Sequence, residues 1–272
     1  MKFASAALAF LLVPALNAQT NGRSERAADR YPAPPAVSDW PTDFPAVPRT
    51  SSVPRAEAIK PVSVGELLIP PRAAKELERS EKAWQSGDLH SSAQHLEKAV
   101  HIYPDYLQAH NLLGTRYMSL RQYKQAVSEF QKATAIDPNS APTYLSLTVA
   151  HFFDGDFAAA EGAGRRALEL DPESTATRYV LARSLIQQGR GTPEALELLR
   201  QSEAKFPNAR LVLALILSER GETPQVIAEL QQYLAAPADP ENKRRAECWL
   251  AELTKSGLPA GCPADAKLPA FR

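Results

Sequence analysis

The sequence predicts an all-α fold, a solenoid built from repeated helix pairs. Apolar residues recur with a helical period from about residue 71 to residue 255, and turns interrupt that period at regular intervals. Pro104, Pro138 and Pro172 lie 34 residues apart. A fixed period of this length is the signature of a helical repeat array, in which at least about three units must stack to bury a continuous core.

The chain begins with a segment typical of a secretory leader, residues 1–18. It has one lysine, an apolar stretch from Phe3 to Val13, a helix-breaking Pro14 and small residues near Ala18. The apolar stretch is shorter than the roughly 20 residues that cross a bilayer, which favours cleavage over an uncleaved anchor. We therefore expect an exported protein, periplasmic or extracellular, with no stable membrane insertion after cleavage.

Residues 19–70 are predicted to form a proline-rich, disordered linker. The segment is rich in Pro, Ala, Ser and Arg and has no helical or strand period until residues 61–70, which favour one short extended piece. The sequence WPTDFP, residues 40–45, places Trp40 and Phe44 within it. Two hypotheses stay open for this motif: it docks onto a groove, or it belongs to a solvated linker.

The helical region, residues 71–257, repeats one pattern that is clearest in residues 109–139. The pattern consists of small, aromatic and proline residues at fixed offsets: His110, Leu113, Gly114, Tyr117, Ala126, Phe130, Ala133 and Pro138. Gly114 and Ala126 are small, so two helix backbones can approach closely while Tyr117 and Phe130 fill the space beside them. The proline after the second helix ends it and starts the next turn.

The neighbouring units are looser copies of this pattern. The first has Ser80 and Ser92 at the small positions. The third has Gly164 where a large apolar residue normally packs, which predicts a soft point in the array. The units are residues 73–106, 109–139, 141–174, 175–209 and 210–235, followed by a capping helix, PENKRRAECWLAELTK, and a tail, residues 258–272.

These landmarks resemble the tetratricopeptide repeat (TPR) family, with His110 where the family usually has tryptophan. The resemblance covers about residues 73–255. It implies a right-handed TPR α-solenoid of about five helix pairs with a C-terminal capping helix. It also implies a concave groove that binds extended peptides or helices of other proteins.

The resemblance further implies which side chains line that groove. They follow the packing positions on each first helix: Asn111, Thr115, Met118, Leu145, Val149, Phe152, Tyr179, Arg183 and Ile186. The set is mostly apolar, and it lacks the Lys and Asn residues by which chaperone-binding members hold a C-terminal carboxylate. The alternative is that Val149, Phe152 and Ile186 pack between adjacent repeats.

The chain has two cysteines, Cys248 and Cys262. In an exported protein we expect a disulfide between them, which closes a loop of about 15 residues. The alternative is two unpaired thiols, with Cys248 buried beside Trp249 on a helix. Two cysteines without a nearby histidine do not make a zinc shell.

The sequence motifs give no indication of catalysis. No metal-binding HExxH, glycine-rich phosphate loop or GxSxG sequence occurs. His110 and His151 occupy positions where aromatic residues of the repeat pack, so we interpret them as core or interface residues. The 31 basic and 31 acidic residues provide no basic excess for nucleic acid. We expect no enzyme activity, no cofactor and no metal.

The sequence therefore predicts an exported, non-catalytic scaffold. The resemblance implies that its groove binds a protein or peptide segment, in the assembly or maintenance of a bacterial envelope complex. One alternative is a structural subunit whose groove is filled by its own chain, with WPTDFP as the occupant. An envelope enzyme is the third hypothesis.

Overall fold

The computed structural model describes residues 69–189, 192–236, 240–257 and 262, and these residues form eleven α-helices and no strand. In chain order the helices are α1 (Pro71–Gln85), α2 (Leu89–Ile102), α3 (Leu107–Ser119), α4 (Tyr123–Ile136), α5 (Ala141–Asp154), α6 (Phe157–Leu170), α7 (Thr175–Gln187), α8 (Pro193–Arg200), α9 (Asn208–Glu219), α10 (Thr223–Ala235) and α11 (Pro240–Thr254). The predicted leader, the predicted linker up to residue 68 and the predicted tail apart from Cys262 lie outside the described ranges and stay predictions.

Consecutive helices form five pairs, α1–α2, α3–α4, α5–α6, α7–α8 and α9–α10, and α11 packs on α10. The pairs stack in sequence order, because the second helix of each pair contacts the first helix of the next. Helix α5 also contacts α3 and α7, so these first helices share an inner layer and the second helices lie outside it. The predicted all-α solenoid of five helix pairs with a C-terminal capping helix is confirmed.

Short polar side chains determine where many of these helices begin. In five helices such a side chain accepts a hydrogen bond from a backbone N–H of the first turn: Asp88, Ser140, Asp156, Ser174 and Thr192. N-caps of this kind contribute about 1 kcal/mol each relative to alanine. At its other end α5 stops at Gly155, which takes the left-handed conformation with φ 82°.

The two helices of the second pair approach each other closely at Gly114. A Cβ atom at this position would lie 2.7 Å from Cε1 of Phe130, which is closer than real Cβ contacts come. The Phe130 ring is almost fully buried, as is Ala126 on the same face of α4. The interpretation of Gly114 as a small residue that lets α3 and α4 approach is confirmed.

Hydroxyl groups occupy the small positions of the first pair. Ser80 on α1 and Ser92 on α2 are buried, and their Oγ atoms lie 2.9 Å apart. Nε of Arg116 on α3 donates to Ser92 Oγ at 2.9 Å, and its guanidinium lies 3.8 Å from the ring centroid of Trp84. Because these buried polar atoms bond to one another, the two serines connect α1, α2 and α3 without unpaired hydroxyl groups.

The structure leaves no open space beside Gly164, where the sequence predicts a soft point. A Cβ atom there would lie 3.2 Å from Thr148 Cγ2 on α5 and 3.5 Å from Leu181 Cβ on α7. Side chains of two neighbouring helices therefore fill the space beside Gly164. The sequence pattern did not indicate this filling, because those side chains do not belong to α6 and one of them comes from the next pair; the soft point itself stays a prediction.

The last helix closes the end of the array and carries a disulfide. Cys248 on α11 is bonded to Cys262, with the two Cα atoms 5.7 Å apart, so the predicted pairing is confirmed. Trp249 on the same helix is almost fully buried, in an apolar cluster with Leu230 and Tyr233 of α10. The disulfide therefore ties the chain that follows α11 to a helix that packs on the last pair.

Replacing Gly114 with alanine should destabilise the protein. Overpacking against the Phe130 ring costs on the order of 1 to 3 kcal/mol, although alanine itself favours helix. The matched control is Gly162→Ala on α6, where a Cβ atom meets nothing within 4 Å. That change should raise the unfolding free energy by about 0.5 to 1 kcal/mol. Urea unfolding followed by circular dichroism measures both changes, and equal stabilisation by the two alanines would contradict the packing account.

Replacing Cys262 with serine should lower the unfolding free energy. A disulfide that closes a loop of about 15 residues contributes roughly 3 kcal/mol by restricting the unfolded chain. The thermal midpoint of the wild type should fall to that of Cys262→Ser when a reductant is added, while the midpoint of the variant stays unchanged. A wild-type midpoint that does not respond to the reductant would show that the bond adds no stability.

Candidate protein-binding surface

The nine residues predicted to line a groove lie on three helices of the inner layer. Asn111, Thr115 and Met118 are on α3, Leu145, Val149 and Phe152 on α5, and Tyr179, Arg183 and Ile186 on α7. Since α5 contacts both other helices, the structure brings these sets next to one another. The α5 set and Met118 share one apolar cluster with Val180, whereas Tyr179 and Ile186 pack with residues of α8 and α9.

Most of these side chains are not accessible. Thr115 and Ile186 are half-buried, and the other seven are buried. Met118 is 1% exposed, and Val149 and Tyr179 have no exposed surface. In this structure seven members of the set are therefore covered, and the prediction that the set binds a partner stays a prediction: Asn111, Met118, Leu145, Val149, Phe152, Tyr179 and Arg183. Val149 and Phe152 share an apolar cluster with Val180 of the next pair, so packing between adjacent pairs contributes to their burial.

A cluster of aromatic rings surrounds the one cation of the set. Arg183 is 7% exposed, and its Cζ lies 5.0 Å from the ring centroid of Phe152 and 5.7 Å from that of Tyr179. Phe152 contacts Phe153 and Phe157, with ring centroids 5.8 and 5.4 Å away. We call these five residues the aromatic–arginine cluster. A guanidinium held against rings gains about 0.5 to 2 kcal/mol and keeps its positive charge near the inner layer.

Two members of this cluster were missed in the sequence. Phe153 and Phe157 flank the turn at Gly155, and Phe153 also stacks on Tyr123 of α4 with ring centroids 5.5 Å apart. The repeat pattern assigns roles by position on one helix, so it did not combine aromatic residues from both sides of a turn. The density of phenylalanine in residues 152–157 was the available signal.

A polar network lies on the other side of the second pair, around His110. Nδ1 of His110 lies 2.7 Å from Oε2 of Glu129 and Nε2 lies 2.7 Å from the backbone oxygen of Pro104. Lys132 Nζ donates to Oε1 of the same glutamate at 2.6 Å. His110 is 3% exposed, so its interpretation as a core residue is confirmed. The network borders an open depression of about 550 Å³ between α2 and α4.

The electrostatics of this network follow from burial and hydrogen bonding. Burial raises the pKa of the Glu129 carboxyl, but hydrogen bonds from His110 and Lys132 outweigh burial and hold the pKa below its usual value. Nearby, burial and a 2.7 Å hydrogen bond to Glu97 raise the pKa of the Tyr117 hydroxyl. Both pKa shifts favour the protonation states that these side chains normally have near neutral pH, an ionised glutamate and a protonated tyrosine. This is what we expect of a network with a structural role.

His151 on α5 is the other histidine for which a packing role was predicted. It is 9% exposed, and burial lowers its pKa against the opposing charges of Asp156 and Asp154. Its Nδ1 has no hydrogen-bond partner among the described residues. The neutral imidazole is therefore favoured at this position, which agrees with a packing role.

The described ranges contain neither a metal-binding cluster nor a helix suited to span a membrane. Within them, no group of three or more His, Cys, Asp or Glu residues could hold a metal ion. No helix there is both long and apolar enough to cross a membrane. The expected lack of catalytic, cofactor and metal sites in the whole chain stays a prediction.

Comparison with protein-family models identifies the family to which this arrangement of helices belongs. One family model of the tetratricopeptide repeat matches residues 83–149, and a second such model matches residues 145–209 and 179–242. Together these ranges cover more than half of the chain. The chain belongs to the tetratricopeptide repeat family. The TPR landmarks of residues 109–139 lie within the matched ranges, and His110 with its glutamate partner stands where TPR units usually have tryptophan.

Curated relatives match the TPR region at modest identity. Heat shock protein STI1 of Saccharomyces cerevisiae is 27% identical over 166 residues, which are 56% of this chain and 28% of that protein. The Hsp70-Hsp90 organizing protein of Triticum aestivum is 27% identical over 100 residues, 37% of this chain and 17% of that protein. This TPR chain thus spans less than a third of the length of either relative.

Solved structures show the same arrangement of helices. MamA from Desulfovibrio magneticus RS-1 is similar with a TM-score of 0.57 and 12% identity, over 61% of this chain and 96% of that one. PilF from Pseudomonas aeruginosa is similar with a TM-score of 0.56 and 18% identity, over 68% of this chain and 85% of that one. At such identities the likeness shows the TPR fold alone.

Replacing Glu129 with glutamine should destabilise the TPR array near neutral pH. Loss of the charged acceptor leaves His110 and Lys132 with a weaker partner, at a cost of about 1 to 3 kcal/mol. Because the folded-state pKa of Glu129 is lowered, its contribution is present above the unfolded pKa and is lost as pH falls through the folded value.

The free-energy difference between wild type and Glu129→Gln should therefore be largest near pH 7 and shrink below about pH 4. Urea unfolding at both pH values measures it. Glu169→Gln, which alters an exposed ion pair with Arg166 on α6, is the control and should change stability little at either pH. A difference that stays constant with pH would contradict the role assigned to the carboxylate.

Proposed function

We propose that this TPR protein is an exported, non-catalytic scaffold that binds a protein or peptide segment at its inner layer. The family membership and five helix pairs suit it to protein–protein interaction. The observation that carries the proposal is the aromatic–arginine cluster, which places a cation and several rings on adjacent inner helices. Arginine and large aromatic residues are the types that most often dominate binding energy at protein interfaces.

The chemistry of the cluster indicates what kind of segment it binds. A guanidinium pairs with carboxylates, and rings such as Phe152 and the partly exposed Phe153 pack with aromatic or apolar side chains. We therefore favour a segment that carries an acidic residue next to aromatic residues. The relative named Hsp70-Hsp90 organizing protein raises the alternative of chaperone binding. The groove set of this chain has one cation, Arg183, and lacks the lysines expected for holding a free C-terminal carboxylate.

The proposal also includes the location in the cell at which the protein acts. Residues 1–18 have the composition of a secretory leader, so we place the protein outside the cytoplasm. In an envelope, a scaffold without its own chemistry serves the assembly or maintenance of a complex by holding a subunit in place. A second candidate function, a structural subunit whose inner layer is filled permanently by its own chain, is favoured by the burial of seven groove residues.

Replacing Arg183 with methionine should weaken partner binding. Methionine keeps most of the apolar stem but removes the charge, and the loss of one charge-assisted contact corresponds to roughly a tenfold weaker affinity. Mature wild type, Arg183→Met and the control Arg166→Met would be used to capture partners from an envelope extract, followed by quantitative mass spectrometry. Arg166 lies on the outer helix α6 and pairs with Glu169, so its replacement should leave capture unchanged.

Equal melting temperatures of the three proteins would establish that any change in capture is not caused by unfolding. If Arg183→Met retains every partner that the wild type captures, the aromatic–arginine cluster is not the binding site. If none of the proteins captures a specific partner, the structural subunit replaces the scaffold as the better hypothesis.

A further inference from the structure

The inner helices are buried to a greater extent than the outer ones. All residues from 145 to 152 on α5 are buried, and so are all residues from 179 to 185 on α7. Both stretches span about two turns, so every side of each helix is covered. In the outer helix α4, by comparison, burial is confined to one face with Ala126, Glu129, Phe130 and Ala133.

The neighbouring helices account for part of this burial. Helix α5 packs mainly on α4 and α6 and less extensively on α7 and α3, and no other described helix makes more than a marginal contact with it. In a two-layer solenoid, these neighbours lie on the outer side of an inner helix and on its two flanks. The inner side, which carries Leu145, Val149 and Phe152, is nevertheless less than a tenth exposed.

We propose that the chain covers this inner side itself, with the segment WPTDFP, residues 40–45, docked on the aromatic–arginine cluster. The proposal rests on the proposed function, because it names the first occupant of the same surface. A binding partner then has to displace the segment, so the segment acts as an internal competitor. The inner layer becomes accessible only to partners that bind more tightly than the tethered motif.

The composition of the segment matches the cluster. Trp40 and Phe44 supply large rings that pack on Phe152 and on its neighbours Phe153 and Phe157, and Asp43 supplies a carboxylate for the charge of Arg183. Pro41 and Pro45 lack a backbone N–H, so the segment brings fewer donors that need a partner on an apolar surface. The prolines also restrict the free segment, which lowers the entropy lost on docking.

The connecting chain is long enough for this docking. Phe44 precedes Ile69 by 25 residues. At about 3.3 Å per residue, an extended chain of this length spans roughly 80 Å. Five stacked pairs with interaxial distances of about 10 Å extend over roughly 50 Å, so the motif reaches α5 and α7 without tension. Tethering of this kind produces an effective concentration of roughly 1 mM.

A cysteine at position 149 tests the proposal directly. Valine and cysteine are similar in size, Val149 has no exposed surface, and both natural cysteines are held in the disulfide. The rate at which a thiol reagent labels Val149→Cys would be measured in the mature chain, alone and with Trp40→Ala and Phe44→Ala together. Tyr31→Ala, which removes the other aromatic residue of the linker, is the matched control.

If the motif covers position 149, labelling should become at least about tenfold faster with Trp40→Ala and Phe44→Ala and stay unchanged with Tyr31→Ala. Adding a peptide of residues 36–48 to the double variant should slow labelling again, whereas a scrambled peptide should not. Equal rates in all three chains would overturn the proposal, because neighbouring helices alone would then bury Val149. A labelling rate that falls as the protein concentration rises, and that is the same with and without the linker substitutions, would indicate instead that a second copy of the chain covers position 149.

Partner capture separates this proposal from the proposed function. If both hold, the double variant captures the partners more strongly than the wild type does. If labelling responds as expected and neither chain captures a partner, the self-docking stands and the scaffold function fails. If capture is equal and labelling does not respond, the scaffold function stands and the self-docking fails.

Discussion

The close approach of two helices within a pair is the contact on which the other levels of this structure depend. At Gly114 the absence of a side chain leaves room for Phe130, and the position of that ring sets how α4 lies on α3. Each pair then presents a surface that only the next pair can bury. A change in how the two helices of one pair pack therefore also changes the interface with the neighbouring pairs. The hydroxyl pair of Ser80 and Ser92 shows that the same approach is compatible with polar groups when a third helix, through Arg116, completes their hydrogen bonds.

Features that depend on local periodicity could be predicted from the sequence. The proline spacing and the offsets around Gly114 specify helix lengths and pairing, and the pairing of two cysteines required no choice among partners. The filled space beside Gly164 could not be predicted in this way, because it depends on contacts between helices. Thr148 and Leu181, which fill the space beside it, come from helices on either side of α6, and a pattern read along one helix contains no information about them.

The candidate surface illustrates the same limit. A position on a repeat helix indicates the layer in which a side chain lies, and all nine predicted residues do lie in the inner layer. It does not indicate what lies over that layer, and Val149 and Tyr179 are fully buried. The aromatic–arginine cluster arises where the end of α5, the following turn and α7 meet, so it depends on three-dimensional proximity that a one-helix pattern does not represent.

The disulfide gives this otherwise repetitive array a direction. In a quasi-one-dimensional protein the terminal units have a neighbour on one side only and therefore open most readily. At the C-terminal end, α11 covers the last pair and the bond from Cys248 to Cys262 holds the chain that follows it. Helix α1 has no corresponding crosslink, since both cysteines of the chain are used at the other end. Unravelling is thus biased to start at the first pair, the end that follows the proline-rich segment, and the fifth pair, which α11 covers, stays assembled longest.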